Sequence, residues 1–151
     1  MKEDITKIFK TKSGMKAYYQ KAGVKTPRYH LVNTLENGRK FISEVGYPVV
    51  VKPDNGVGAA ATYKINNDQE LEEFYNIDHI TQYIMEEFVN GLILSYDGIA
   101  NNEHQVLFET SHVFPNSIMD VVNNHSNIHY YSLRKIPEEL QKLGRSVCLL
   151  Y

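Results

Sequence analysis

Lys52 closes a β-branched run, Val49-Val50-Val51, and is followed by Pro53 and a loop of small residues, Asp54-Asn55-Gly56-Val57-Gly58-Ala59-Ala60-Ala61. The run favours an extended strand, and Pro53, which has no N–H to give a sheet ladder, ends it. The glycines and alanines let backbone approach a ligand closely. Thr62-Tyr63-Lys64-Ile65 then reads as a second strand. Strand, small-residue loop, strand, with a lysine at the rim, is what a phosphate-covering flap requires: free N–H donors, no bulky side chains and a nearby cation. Two other readings fit the same residues. Gly56 to Ala61 also matches G-x-G-x-x-A, the dinucleotide-binding fingerprint. That fingerprint needs a tight turn from a strand straight into a helix, whereas here Pro53-Asp54-Asn55 intervene and a strand follows. The remaining reading is a hairpin loop with no ligand.

Other reactive residues gather less support. His125 and His129 are four apart, which on a helix would place both on one face, but NNHSNIH is a poor helix. No metal site is expected there. His104 and His112 fall on a stretch of short strands and read as surface or hairpin residues. Ser111 and Cys148 have no local support as nucleophiles, and Cys148 is expected to pack on the last helix. Asp97, Glu103 and Glu109 are acidic residues on the same short strands, outside any metal motif.

The elements that must position these groups follow in order. KSGMKAYYQKA, residues 12–22, carries Met15, Tyr18, Tyr19 and Ala22 at helical spacings, with Gly23 as a stop. Thr26-Pro27 is an extended link, and residues 28–32 form a candidate strand. Asn33 or Thr34 caps a helix over LENGRKFISEV, which ends at Gly46 and is mildly weakened by Gly38. After the central hairpin, Asn67-Asp68 caps QELEEFYN, whose first-turn acids suit the helix dipole. ITQYIMEEFV, residues 80–89, reads as a strand. Asn90-Gly91 turns the chain into LILSYDGIA, and Asn101-Asn102 turns it into HQVLFETSHVF, an antiparallel meander. NSIMDVV is expected as a short helix, HYYSLRK as a strand, and PEELQKLGRSVCLLY as a helix begun by Pro137. This order is α+β rather than a parallel βαβ array.

Composition bounds the partners. The chain has 151 residues, 42% of them hydrophobic and 23% charged, enough to bury a core as one domain or two small lobes. A net charge of −2 offers no global field for nucleic acid or an anionic membrane. A single cysteine excludes an internal disulfide and suits a reducing cytoplasm. The charged start MKEDITKIFKTKSG is no secretory signal, and no apolar run is long enough to span a bilayer.

Three blocks together resemble the ATP-grasp family, the nucleotide-binding fold of biotin carboxylase, carbamoyl-phosphate synthase and D-alanine–D-alanine ligase. KSGMKAYYQKAGVKTP is similar to the family's lysine-led helix and its A-G-V-x-T-P turn, with Thr11 where the family has Asp. GYPVVVKPDNGVGAAAT is similar to its strand, lysine and glycine-rich lid. YIMEEFVNG is similar to the hinge strand that holds adenine. The resemblance covers residues 11–98 and implies an ATP-grasp-like α+β fold with antiparallel strands, a lid hairpin and flanking helices. It divides the chain into a lead-in over 1–11, a nucleotide-binding lobe over 12–90 and part of a second lobe over 91–151.

The resemblance also implies a site. Lys12 and Lys52 would reach the phosphates, Lys52 also lying near the adenine edge. The lid backbone from Asn55 and Gly56 through Val57, Gly58, Ala59 and Ala60 would fold over the β- and γ-phosphates. In the hinge Glu86-Glu87-Phe88-Val89, Glu86 would accept from the adenine amino group, and the backbone of Glu87 and Val89 would bond the base. Val50 and Met85 are expected as walls of the base slot. Ile93 stands where the family commonly has Glu for ribose or metal. Arg134 and Lys135 read as groups for an acyl-phosphate or carboxylate substrate, or as solvated side chains.

The family's Mg²⁺-binding carboxylates would lie beyond Tyr151, where the last helix is unfinished, so Mg²⁺ is expected only in the complete enzyme. The chain thus reads as the ATP-binding segment of a ligase that activates a carboxylate or bicarbonate as an acyl phosphate for attack by an amine. It is not expected to catalyse alone, and self-association through apolar surface left by the missing halves is expected. The alternatives are a non-catalytic nucleotide-binding or assembly module and a Rossmann-type cofactor domain.

Overall fold

The computed structural model describes residues 9–56, 61–116 and 127–148. Its contacts divide them into two compact units: the described residues up to Ala17 together with Thr26–Val89, and Tyr18–Lys25 together with those from Asn90 on.

The first unit is built on a four-stranded antiparallel sheet. Helix α1 spans Lys12–Lys21, β1 Tyr29–Leu31, α2 Leu35–Val45, β2 Val49–Pro53, β3 Tyr63–Ile65, α3 Asp68–Tyr75 and β4 Tyr83–Glu87. The strand order is β1-β4-β2-β3, so the lysine-bearing strand and the hinge strand are central neighbours. Alternation sets the two faces of the sheet. Val49 and Val51 of β2 and Met85 of β4 are wholly buried and pack with Ile65, Phe41, Ile42, Leu71 and Phe74 in one apolar core. Val50, Lys52 and Glu86 take the other face, with Val50 opposite Glu86 and Lys52 opposite Ile84.

Both helices over this core start on side-chain caps. The Thr34 hydroxyl accepts from the Asn37 amide, and the Asn67 side chain accepts from the Glu70 amide at 2.9 Å. Glu70 in turn takes the Asn66 amide at 2.8 Å, a reciprocal arrangement close to a capping box. Gly38, expected to weaken α2, has a packing reason to be there. A Cβ at this position would lie 2.7 Å from the Tyr75 hydroxyl, so any larger residue would have to displace the Tyr75 ring at the end of α3. The expected strand over residues 80–89 is shorter, Tyr83–Glu87, and Ile80 is fully exposed.

In the second unit, β5 is Ile93–Leu94, β6 Asp97–Ala100, β7 Val106–Thr110, β8 His112–Phe114, β9 Tyr131–Ser132 and α4 Glu138–Cys148. The two long meander strands expected from sequence are each interrupted once. The pairs β6-β7 and β5-β8-β9 form separate sheets. The pairing register nevertheless carries through: Leu94 faces Val113 and, past the break at Tyr96 and Ser111, Asp97 faces Thr110. Tyr96 stands outside the ladder, and its ring lies against α4, where a Cβ on Gly144 would come within 2.4 Å of it. HYYSLRK keeps only Tyr131–Ser132 as strand. The helix expected over NSIMDVV, from Ser117 on, and His125 lie outside the described residues. No described helix is long and apolar enough to cross a membrane.

Glu109 joins the hairpin to α4. Its carboxylate accepts from the Tyr96 hydroxyl at 2.9 Å, from Arg145 at 2.7 and 3.1 Å, and from Gln141. The Arg145 hydrogen bonds, helped by those from Gln141 and Tyr96, pull its pKa down to about 2. A depressed carboxylate pKa stabilises the fold above the unfolded-state value, and that contribution is lost as pH falls through the folded value. The second unit of the wild-type chain is therefore expected to loosen between about pH 4.5 and about pH 2. A Glu109→Gln variant should lack this transition. Near-ultraviolet dichroism across an acid titration reads the difference, and identical profiles would refute it.

Candidate functional site

The first helix is fastened to the end of β2. The Lys12 amide donates to the Asp54 carbonyl at 2.8 Å, and the Ser13 amide and hydroxyl both donate to the Asp54 carboxylate, at 2.8 and 2.7 Å. Asp54 is buried, and its negative charge sits at the positive end of α1, where the helix dipole favours it. Thr11 also bridges to Asn55. This anchoring sends the Lys12 ammonium to the loop, where it donates to the Pro53 carbonyl at 2.7 Å and the Gly56 carbonyl at 3.2 Å. Burial, then the neighbouring Lys52 charge, pushes the Lys12 pKa below its ordinary value, with Asp54 and Glu86 opposing.

Lys16, one turn after Lys12, meets the same face of the sheet. Glu86 is held between two ammonium groups, with Lys16 2.9 Å from one carboxylate oxygen and Lys52 2.5 Å from the other. Lys16 and Glu86 side chains are 9% and 8% exposed, while Lys52 keeps 27%. At formal charges, Lys12, Lys16 and Lys52 against Asp54 and Glu86 leave one net positive charge. A surplus cation beside a backbone loop suits an anion.

The hinge strand is arranged differently at each residue. The Glu87 carboxylate is taken by Arg28, whose backbone amide donates at 2.8 Å and whose guanidinium donates at 2.7 Å. These bonds hold the Glu87 pKa below the usual carboxylate range. The Glu87 amide donates to the Arg28 carbonyl at 3.1 Å. An antiparallel pair of this kind ordinarily exchanges both backbone bonds. Here the Arg28 amide turns to the carboxylate instead, so the Glu87 carbonyl lacks its ladder donor. Phe88 lies under the Lys64 ammonium, 4.4 Å from its centroid, and Val89 is exposed.

The structure thus gathers Lys12, Lys52, Gly56 and Glu86 in one place and sets Glu87, Phe88 and Val89 along the strand that carries Glu86. Asn55 accepts from the Thr81 hydroxyl at 2.9 Å. Gly56 adopts φ +89°, a left-handed conformation that glycine takes without penalty. Val57, Gly58, Ala59 and Ala60 lie outside the described residues. Met85 is a correction: it lies on the core face, because it is adjacent to Glu86 and strand neighbours point to opposite sides. Ile84, opposite Lys52, shares the other face with Val50 and Glu86. The sequence reading overlooked Lys16, Ser13, Asp54 and Arg28. Lys16 carried a signal, since a lysine four residues after Lys12 shares its helix face. The other three depend on pairings distant in sequence. Among the described residues, no three His, Cys, Asp or Glu side chains gather as a metal site.

Comparison with known proteins gives the family and the fold. The family model of the ATP-grasp domain matches residues 10–148. A carbamoyl phosphate synthase large chain from Sulfurisphaera tokodaii is 43% identical over 54 residues, 36% of this chain and 5% of that protein. The C-terminal section of the corresponding Aquifex aeolicus large chain is 23% identical over 133 residues, 84% of this chain and 25% of that one. Among solved structures, carboxyaminoimidazole ribonucleotide synthase from Aspergillus clavatus, complexed with ATP, superposes with a TM-score of 0.77 at 15% identity, over 96% of this chain and 38% of the other. D-alanyl-alanine synthetase A from Vibrio cholerae gives 0.64 at 11% identity, over 93% of this chain and 46% of that one. The chain therefore spans less than half the length of each of these proteins.

Proposed function

From the premise that this chain belongs to the ATP-grasp family, we propose that it supplies the ATP-binding part of a ligase that activates a carboxylate, or bicarbonate, as an acyl phosphate for attack by an amine. Residues 12–90 serve as the nucleotide lobe and 91–151 as part of the second lobe. The observation that carries this reading is the Lys12–Lys52–Glu86 group beside the loop that begins at Asn55 and Gly56. Lys12 and Lys52 meet the phosphates, and the backbone of Val57, Gly58, Ala59 and Ala60 folds over them. The Glu87 carbonyl, freed from its ladder donor, accepts from the base, and Val89 completes the base contacts beside Phe88. Glu86 spends two lone pairs on Lys16 and Lys52, and a carboxylate has about four; a remaining one accepts from the adenine amino group.

The described residues do not fit Mg²⁺. Glu109 is committed to Arg145, and Asp97 pairs with His112 at 3.2 Å. The metal is accordingly assigned to carboxylates of the complete enzyme. What this chain contributes is orientation of the nucleotide and neutralisation of its phosphates, the larger part of catalysis in phosphoryl transfer.

Calorimetric titration with ATP, with and without Mg²⁺, tests the reading. Hydrogen bonds to charged groups contribute about 1.5–3 kcal/mol, so Lys52→Ala is expected to weaken ATP binding about ten- to a hundredfold. Wild-type chain that takes up no ATP at millimolar concentration would overturn the proposal. Binding without phosphate release is expected for the isolated lobe.

A further inference from the structure

Lys16 holds one oxygen of the carboxylate whose other oxygen holds Lys52. Its side chain is 9% exposed, and besides Glu86 its ammonium reaches the Pro27 carbonyl at 3.2 Å and the face of Tyr29 at 5.5 Å. Glu86 is equally buried, so neither charge is shared with water. Lys52 is the only one of the three in this relay with substantial exposure. A carboxylate with a single ammonium partner attracts it with its whole charge. With a second ammonium on its other oxygen, the attraction felt by the first is offset in part, because the second ammonium acts on it with the opposite sign from only a little farther away.

We infer that Lys16 is a positioning residue that absorbs half of the Glu86 charge and so sets how much of the Lys52 charge is offered to an anion. The consequence for ATP rests on the nucleotide reading above; the consequence for Lys52 does not. Removing Lys16 should leave Lys52 clamped to Glu86 and withdrawn from the rim.

The test reads Lys52 directly. The free chain is acylated with trace acetic anhydride, and the rate at Lys52 is compared by mass spectrometry with that at exposed Lys40. In Lys16→Met the Lys52 rate is expected to fall about tenfold relative to Lys40, the low end of what an opposite charge within hydrogen-bond range does to an ionisable group. In Lys16→Met/Glu86→Gln it should recover, which also guards against a variant that fails to fold. Calorimetry with ATP and with adenosine completes the set: Lys16→Met should weaken ATP about tenfold and leave adenosine unchanged.

A Lys52 rate within twofold of wild type in Lys16→Met, or no recovery in the double variant, would overturn the inference. Equal losses for ATP and adenosine would do the same, because a merely structural role moves both together. If the labelling changes as expected while wild-type chain binds no ATP, the role of Lys16 stands and the nucleotide reading falls.

Discussion

Glu86→Ala is expected to lower the stability of the first unit by about 3–5 kcal/mol, the usual result of removing one member of a buried ion pair. The loss arises from what remains. Lys52 can turn to water, but Lys16 is buried and, among the described residues, would keep the Pro27 carbonyl, the Tyr29 ring and the more distant Glu87 charge, which Arg28 already takes. An ammonium left uncompensated in such a place costs far more than the pair contributed. A double variant, Lys16→Met/Glu86→Leu, separates the two quantities. Replacing a whole buried pair with apolar side chains is often neutral or stabilising, so most of the loss should return. Urea unfolding followed by far-ultraviolet dichroism measures both. A single-variant loss under about 1 kcal/mol would place Lys16 within the cost of a solvated surface pair and contradict its burial.

This triad also marks where sequence reasoning succeeded and where it stopped. Local signals were sufficient for the elements. Thr34 and Asn67 capped their helices as polar side chains before an apolar period, Gly46 ended α2, and Pro53 ended β2. Lys12, Lys52 and Glu86 could be named because each sits in a block whose order resembles a known family. Their partners could not be named from spacing, since Arg28 and Glu87 are 59 residues apart and Ser13 and Asp54 are 41 apart. The antiparallel register of β1 and β4 brings the first pair together, and the docking of the start of α1 at the end of β2 brings the second. Met85 is a different kind of error. The strand period of two was available, and it forbids adjacent Met85 and Glu86 from lining one side of a slot. The second unit shows the limit of pattern alone. The hairpin and its turn at Asn101-Asn102 were legible, but not the interruption at Tyr96, whose ring lies against Gly144 of α4.

Asp54→Ala should then separate the anchoring of α1 from the integrity of the sheet. Two charge-assisted hydrogen bonds from Ser13 end on this carboxylate, and its charge faces the positive end of the helix. Loss of both contributions is expected to cost about 2–3 kcal/mol, from the value of hydrogen bonds to charged groups together with the dipole term. Asp54→Asn keeps an acceptor for the Ser13 amide but loses the charge and the oxygen that accepts from the Ser13 hydroxyl, which can still accept from the new amide N–H, so it should cost roughly half as much. The two models of α1 differ in where the damage falls. If the carboxylate is the anchor, amide hydrogen exchange in Asp54→Ala rises at Ser13 and Gly14, while the wholly buried Val49, Val51 and Met85 stay protected. If α1 is held mainly by its apolar face, exchange at its first turn is unchanged. The Lys12 ammonium reaches the loop only because the chain behind it is fixed at Asp54. A frayed first turn should therefore also weaken ATP binding, without touching Lys52 or Glu86.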